Sequence, residues 1–278
     1  MISLSKDEKL LIIHMDDIGM SYAANRAAMD LFAKGTANSA SVIVPGPWAR
    51  DFIRWWADNP GYDVGVHLTH TSEWDACRWR PLSPARDVPA LLDPDGFMWH
   101  GFPGELTAVP PAQIALEMVA QIRQALAWGL RPTHLDSHMG IVTAQPAFFR
   151  AYLDLAKEYR LAPHIFPWAA EMEGIAAMVR ESPFPVAQGV EVDPGATLAE
   201  KKEAIRRALA ALRPGLNVLT IHPVVDTPEI REIIPRWEER YLEYLAFMDE
   251  ETRDAVAASG ARLVTWGQVY TLYANRRE

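Results

Sequence analysis

Apolar and polar positions along the chain fall into two alternating periods. Residues 10–15 (LLIIHM) are an apolar run read as a buried strand, and 23–34 (AANRAAMDLFAK) follow a helical period stopped by Gly35. The same reading gives strands at 38–44 and 62–68 around a helix at 47–58 that begins with Pro47. Residues 111–128 form the clearest amphipathic helix. A short strand follows near 133–136, then a helix near 145–159, a strand near 162–166, a helix at 198–211 and strands at 216–222 and 262–265. Residues 69–110 and 223–247 show little periodicity and read as long irregular connections. Strand and helix alternate without a linker or repeat. This predicts one α/β domain over residues 1–278, a single distorted, TIM-like (β/α) barrel of about seven parallel strands. Chemistry in such a sheet gathers at the C-terminal ends of the strands, and both irregular stretches would lie on that face.

Composition narrows the picture. Hydrophobic residues make up 49% of the 278 positions, enough for a substantial core, and the net charge of -9 argues against a general nucleic-acid or anionic-membrane binder. The single cysteine, Cys77, excludes an internal disulfide. The opening MISLSKDEKL lacks an apolar leader region and no apolar stretch is long enough to span a bilayer, so a soluble, cytoplasmic protein is expected. With ten tryptophans, some are expected to line a groove where a sugar ring can stack.

Polar residues collect at the strand ends. Asp16-Asp17 closes the first strand, His67 the third (GVHLTH) and HLDSH (134–138) the fourth; His222 closes the strand LNVLTIH. Alternation puts Gly65 and His67 on one face and Val64 and Val66 on the other. It likewise sets Thr220 and His222 opposite Leu219 and Ile221. His134, Asp136 and His138 share a face if their strand runs that far. Adjacent carboxylates repel unless something positive lies beside them. The acid pair therefore reads either as a metal site or as a turn in which one Asp caps the next helix. Which carboxylate points where stays open. One Asp and two His at converging strand ends make a first shell for a divalent cation. His14, His100 and His164 read as core or capping histidines.

Taken in order, the strand ending DD-hydrophobic-G, then GVHLT, then PTHLDSH (132–138) resembles the YdjC-like carbohydrate deacetylases, over residues 9–140 and again at LTIHP. The resemblance implies a barrel-like fold and removal of acetyl groups from N-acetylated sugars with one divalent metal ion, magnesium or zinc. By position, Asp17, His67 and His138 would be the ligands, Asp16 the general base and His222 the general acid. His70, His134, Asp136, Trp74 and Arg80 are candidate contacts to a small carbohydrate substrate; a homodimer is left open. Ile18, where many members have Phe, and Met139-Gly140 depart from the family pattern and bear on which sugar is bound. The chemistry fits the residue types: water is a poor nucleophile at neutral pH, a carboxylate can take its proton, and an imidazole can protonate a leaving amine.

Three rivals share some of these residues. One is a metal hydrolase of another amide or ester. Another is a non-catalytic sugar-binding barrel, which would need no base. The third is a non-haem iron oxygenase using His134-x-Asp136 with His222, disfavoured because that triad normally sits in an all-β fold.

Overall fold

The computed structural model describes residues 7–101 and 108–274. Its elements run β1 (Lys9–Ile18), α1 (Tyr22–Lys34), β2 (Ser39–Val42), α2 (Ala49–Asp58), β3 (Val64–Leu68), α3 (Pro111–Ala127), β4 (His134–Ser137), α4 (Pro146–Tyr159), β5 (Ala162–Pro163), α5 (Ala176–Glu181), β6 (Gln188–Gly189), α6 (Leu198–Ala210), β7 (Gly215–Ile221), α7 (Pro228–Ile233), α8 (Trp237–Met248), α9 (Glu250–Ala258), β8 (Arg262–Leu263) and α10 (Trp266–Tyr273). All strand pairs are parallel, in the order β5-β4-β3-β2-β1-β7-β6, with β8 paired to the start of β1. A parallel bridge between Ile165 and Val186 joins the two ends of that path. The predicted distorted (β/α) barrel is therefore observed.

Alternation along the strands sorts the core into two clusters. Leu11, Ile13 and Met15 of β1 pack outward with Val64, Val66, Leu219 and Ile221 against the helices. Leu10 and Ile12 point inward with Leu216, Val218, Val264 and Trp266, filling the barrel floor. Above that floor the interior becomes polar: His14, Ser39, Ser41, His67, His134 and Asp136 are all buried.

The long connections differ from expectation in one case. Residues 69–101 carry a 3-10 turn at Pro89–Leu91 and an antiparallel bridge between Leu92 and Met98. Residues 102–107 of that stretch, like the opening 1–6, lie outside the described residues. Residues 223–247, read as irregular, instead hold α7 and most of α8. Thr227 caps α7 with Pro228 at its first position. Trp237, Tyr241 and Tyr244 recur along α8 at helical spacing, with the rings of successive pairs 5.8 Å and 6.1 Å apart.

Candidate functional site

The end of β1 decides how the acid pair is aimed. His14 and Met15 pair with Ser39 and Ala40, but Ile18 pairs with Val42, so Asp16 and Asp17 together oppose Ser41 alone. This is a β-bulge. Asp17 takes φ 63°, an uncommon conformation for a residue with a side chain. Asp16 thus continues the inward face of His14 while Asp17 is swung sideways. The chain then turns at Gly19 (φ 91°), where a Cβ would stand 2.9 Å from Ala49 Cα. Asn25 fixes the turn, its Oδ1 accepting from Gly19 N at 2.9 Å and its Nδ2 donating to Trp48 O at 3.0 Å. The α1 cap is Ser21, which accepts from Ala24 N at 3.1 Å. The helix-cap alternative for the acid pair is thereby corrected: neither Asp is the cap.

Three atoms converge beside the bulge. His138 Nδ1 is 3.1 Å from Asp17 Oδ1, His67 Nε2 is 3.5 Å from the same oxygen, and the two nitrogens are 3.3 Å apart. Donors held at about 2.1 Å from one ion stand about 3.0–3.4 Å from each other, so this triangle has the size of part of a divalent shell. Asp17 is 2% exposed, and its Oδ1 is buried without a hydrogen-bond partner. A buried orphaned carboxylate oxygen facing two imidazole nitrogens is the donor set a cation needs. Two further sets, His14 with His134 and Asp136, and Asp16 with His67 and Asp136, also bring possible ligand atoms within 4.8 Å. Both draw on Asp136, whose Oδ2 already accepts from Ser41 and whose Oδ1 faces His67.

The triad is held from behind. His67 Nδ1 is 2.8 Å from Asp136 Oδ1, and His138 Nε2 is 2.7 Å from Glu73 Oε1. Each imidazole thus gives its far nitrogen to a carboxylate and turns the other to the common point, the arrangement that fixes tautomer and orientation in metal sites. Asp17 Oδ2 accepts from Arg240 Nη1 at 2.7 Å. Burial alone would raise the Asp17 pKa, but the Arg240 cation and His138 hold it well below the usual carboxylate range. Burial likewise opposes charge on the histidines. Asp136 and Asp16 nevertheless hold His67 well above its ordinary range, and Glu73 and Asp17 hold His138 up to about 9. The field at this point favours positive charge.

Asp16 lies on the more open side, 18% exposed against 2% for Asp17. Its Oδ2 is 3.9 Å from His222 Nε2. The His222 ring is 39% exposed, and its backbone N–H donates to Glu243 Oε2 at 2.7 Å.

The candidate substrate contacts separate. His70, His134 and Asp136 are 0%, 0% and 1% exposed, so they lie beneath the surface a sugar could touch. The reason is packing. The His134 ring fills the space left by Gly65, and Asp136 is enclosed by Ser41, His14 and His67. Trp74 is half-buried with its ring 5.6 Å from the Arg240 guanidinium, at the mouth. Arg80 is exposed and sits 4.8 Å over the Phe97 ring, within its own loop. His222 does not join His134 and Asp136 in any of the converging sets among the described residues, which removes the basis of the oxygenase reading.

Three supporting residues escaped the sequence reading. Glu73 and Arg240 come from long connections and carry no local pattern. His14, read as a core histidine, is buried but lies 2.9 Å from Asp136 and 3.1 Å from Asp16. Its spacing of two from Asp16 on the inward face of β1 was the available signal.

Residues 10–258 match the sequence profile of the family described as YdjC-like protein. The chain is 36% identical over 261 residues to a protein of Thermus thermophilus named carbohydrate deacetylase, covering 90% of each. It is 26% identical over 243 residues to a protein of the same name from Thermoanaerobacter pseudethanolicus, covering 87% of this chain and 92% of the relative. A solved structure from Enterococcus faecalis V583, described as a candidate cellobiose-phosphate cleavage protein, shares the fold with a TM-score of 0.79 at 20% identity. That match covers 94% of this chain and 99% of the other. By profile and by identity over most of its length, the chain belongs to the YdjC-like family.

Proposed function

We propose that the protein is a metal-dependent deacetylase that removes acetyl groups from N-acetylated sugars or oligosaccharides. The observation that carries this is the buried, unpartnered Asp17 Oδ1 facing His67 and His138, with a second carboxylate, Asp16, beside it on the open side. Asp17, His67 and His138 would hold one divalent ion, magnesium or zinc. Such an ion lowers the pKa of water and polarises an acyl carbonyl. Asp16 would take the proton from the attacking water, since its Oδ2 is turned to the exposed side. His222, across from that oxygen, would protonate the departing amine. The family relatives named carbohydrate deacetylases support a sugar as substrate.

An exposed aromatic also supports a ring-bearing substrate. Trp168 follows β5 on the same end of the barrel and is 48% exposed. Its indole is stacked on Phe166 at 4.6 Å, and its Nε1 donates to Thr143 Oγ1 at 3.2 Å. A rigid ring of this kind offers a face to a pyranose. We read residues 1–278 as one domain acting on a carbohydrate, with no nucleic-acid or membrane partner. Among the described residues no helix is long and apolar enough to cross a membrane.

The test is acetate release from N-acetylglucosamine oligosaccharides with magnesium, zinc, manganese or cobalt supplied after chelation. Release that needs one of these ions supports the reading. Metal-dependent cleavage of simple acyl esters or other amides, without acetate from any amino sugar, would replace it with the broader hydrolase reading. Sugar binding without turnover would leave only a binding barrel.

A further inference from the structure

His14 lies on the inward face of β1, fully buried, one inward position below Asp16. Its two ring nitrogens face different groups. Nδ1 is 2.9 Å from Ser39 Oγ, and that hydroxyl donates its hydrogen to Asp63 Oδ2 at 2.8 Å. Ser39 therefore has only lone pairs for His14, so Nδ1 carries a hydrogen. Nε2 is 2.9 Å from Asp136 Oδ2 and 3.2 Å from Ser41 Oγ, and lies 3.1 Å from Asp16 Oδ1 in an ion-pair contact that leaves that buried oxygen without a hydrogen bond. Ser41 in turn donates to Asp136 at 2.7 Å. Every neighbour on that side is an acceptor, so Nε2 carries a hydrogen too. An imidazole with hydrogens on both nitrogens is a cation. Asp63, at the far end of the line, accepts from the backbone N–H groups of Trp266 and Gly267, each at 3.1 Å, and these donors with Ser39 favour its carboxylate form against burial, which raises its pKa.

We propose that His14 is a buried imidazolium that acts as the positioning residue for Asp16, fixing Oδ1 from beneath so that Oδ2 is the oxygen presented to the substrate side. This rests on the reading of Asp16 as general base. A carboxylate with one oxygen drawn against a buried cation stays ionised, and its other oxygen takes a preferred direction. The carboxylates Asp136 and Asp16 lie between two imidazoles, His14 beneath and His67 beside them, and both are held above their ordinary range. Burial opposes charge on His14, but Asp136 and then Asp16 hold it up to about 9. His134, whose ring lies 5.1 Å away on β4, is held well below its ordinary range by burial and by the charge on His14. His164, just past β5, is pushed down to about 4 by burial. Trp266 of α10 closes the remaining side with its ring 6.4 Å from His14. His134 and His164 are thus kept neutral, while His14, like His67 on the other side of Asp136, is held charged.

The experiment is nitrogen NMR of the full chain carrying 15N-labelled histidine, on wild type, Asp16→Asn and His14→Gln, with steady-state kinetics and metal content on the same samples. Both His14 nitrogens should remain protonated at pH 7–8 in wild type. In Asp16→Asn that protonation should be lost at a pH lower by about one unit or more. His14→Gln should lower kcat by about tenfold or more with KM and bound metal unchanged. A neutral His14 in wild type at pH 7, or a His14 titration indifferent to Asp16→Asn, would overturn the proposal. So would a kinetic loss confined to KM or to metal content. Should His14→Gln not fold, the wild-type and Asp16→Asn spectra decide alone. If Asp16→Asn keeps full turnover while shifting His14, the base reading fails but the contact between the two residues stands.

Discussion

Arg240 on α8 donates from Nη1 to Asp17 Oδ2 at 2.7 Å, tying a helix to a strand end 223 residues earlier. The contact occupies one carboxylate oxygen and leaves the other facing His67 and His138. Arg240→Met should weaken divalent-ion affinity by about 10–100-fold, the usual range for groups that orient a ligand. Arg240→Lys should recover only part of it, because an ammonium lacks the planar fork. Competition with a coloured chelator measures both. Equal affinity in all three proteins would remove Arg240 from the site.

Glu73 does for His138 what Asp136 does for His67. Glu73→Gln keeps an acceptor near His138 Nε2 but removes the charge that helps hold the imidazole up to about 9. Metal affinity should fall by about tenfold at neutral pH, with folding retained. The readout is isothermal titration of the chelated protein. An unchanged affinity would show that the 2.7 Å contact is incidental to ion binding.

His70, beside the triad but outside it, predicts a pH dependence of stability. Burial pushes its pKa down from 6.5 to about 4. The unfolded chain then binds the extra proton first as pH falls. The stabilising contribution is complete above pH 6.5 and is lost between about 6.5 and 4. The full difference corresponds to about 3 kcal/mol at about 1.4 kcal/mol per pKa unit. Thermal unfolding followed from pH 8 to pH 4 should show the decline, and His70→Gln should make it shallower, with His134 and His164, also held down by burial, carrying the rest. An identical acid slope in the variant would mean that His70 is already protonated in the fold.

Gly65 is required by the barrel interior. A Cβ there would stand 2.4 Å from His134 Nε2, a ring with no room to retreat. Gly65→Ala should therefore lower stability by about 1–3 kcal/mol, the range for overpacking. It should also reduce metal affinity, because Gly65 lies on β3 two residues before His67. Thermal melts and chelator competition check this; a neutral substitution would show that the ring moves freely.

Much of this was legible in the sequence because strand alternation aims side chains. His67 against Val64 and Val66, and His222 against Leu219 and Ile221, face as the period of two requires. The long helices at 23–34, 111–128 and 198–211 were readable from their apolar stripes. β6, two residues long, is too short to show a period. α8 was obscured by Pro223, Pro228 and Pro235 before it, although its aromatic spacing is regular. The different aims of Asp16 and Asp17 follow from a bulge and a positive φ, which alternation cannot reveal. Glu73 and Arg240 reach the site by tertiary packing alone.

The two adjacent acids provide the most direct test, because the account gives them different tasks. Metal content and turnover should be measured together on Asp16→Asn and Asp17→Asn. Asp16→Asn should keep its ion and lose roughly 10²-fold or more in acetate release, the scale for removing a general base. Asp17→Asn should lose the ion itself, since it removes the one anionic donor of the triad. Loss of metal from Asp16→Asn with metal retained in Asp17→Asn would contradict the assignment, and unchanged acetate release in both would contradict the deacetylase account.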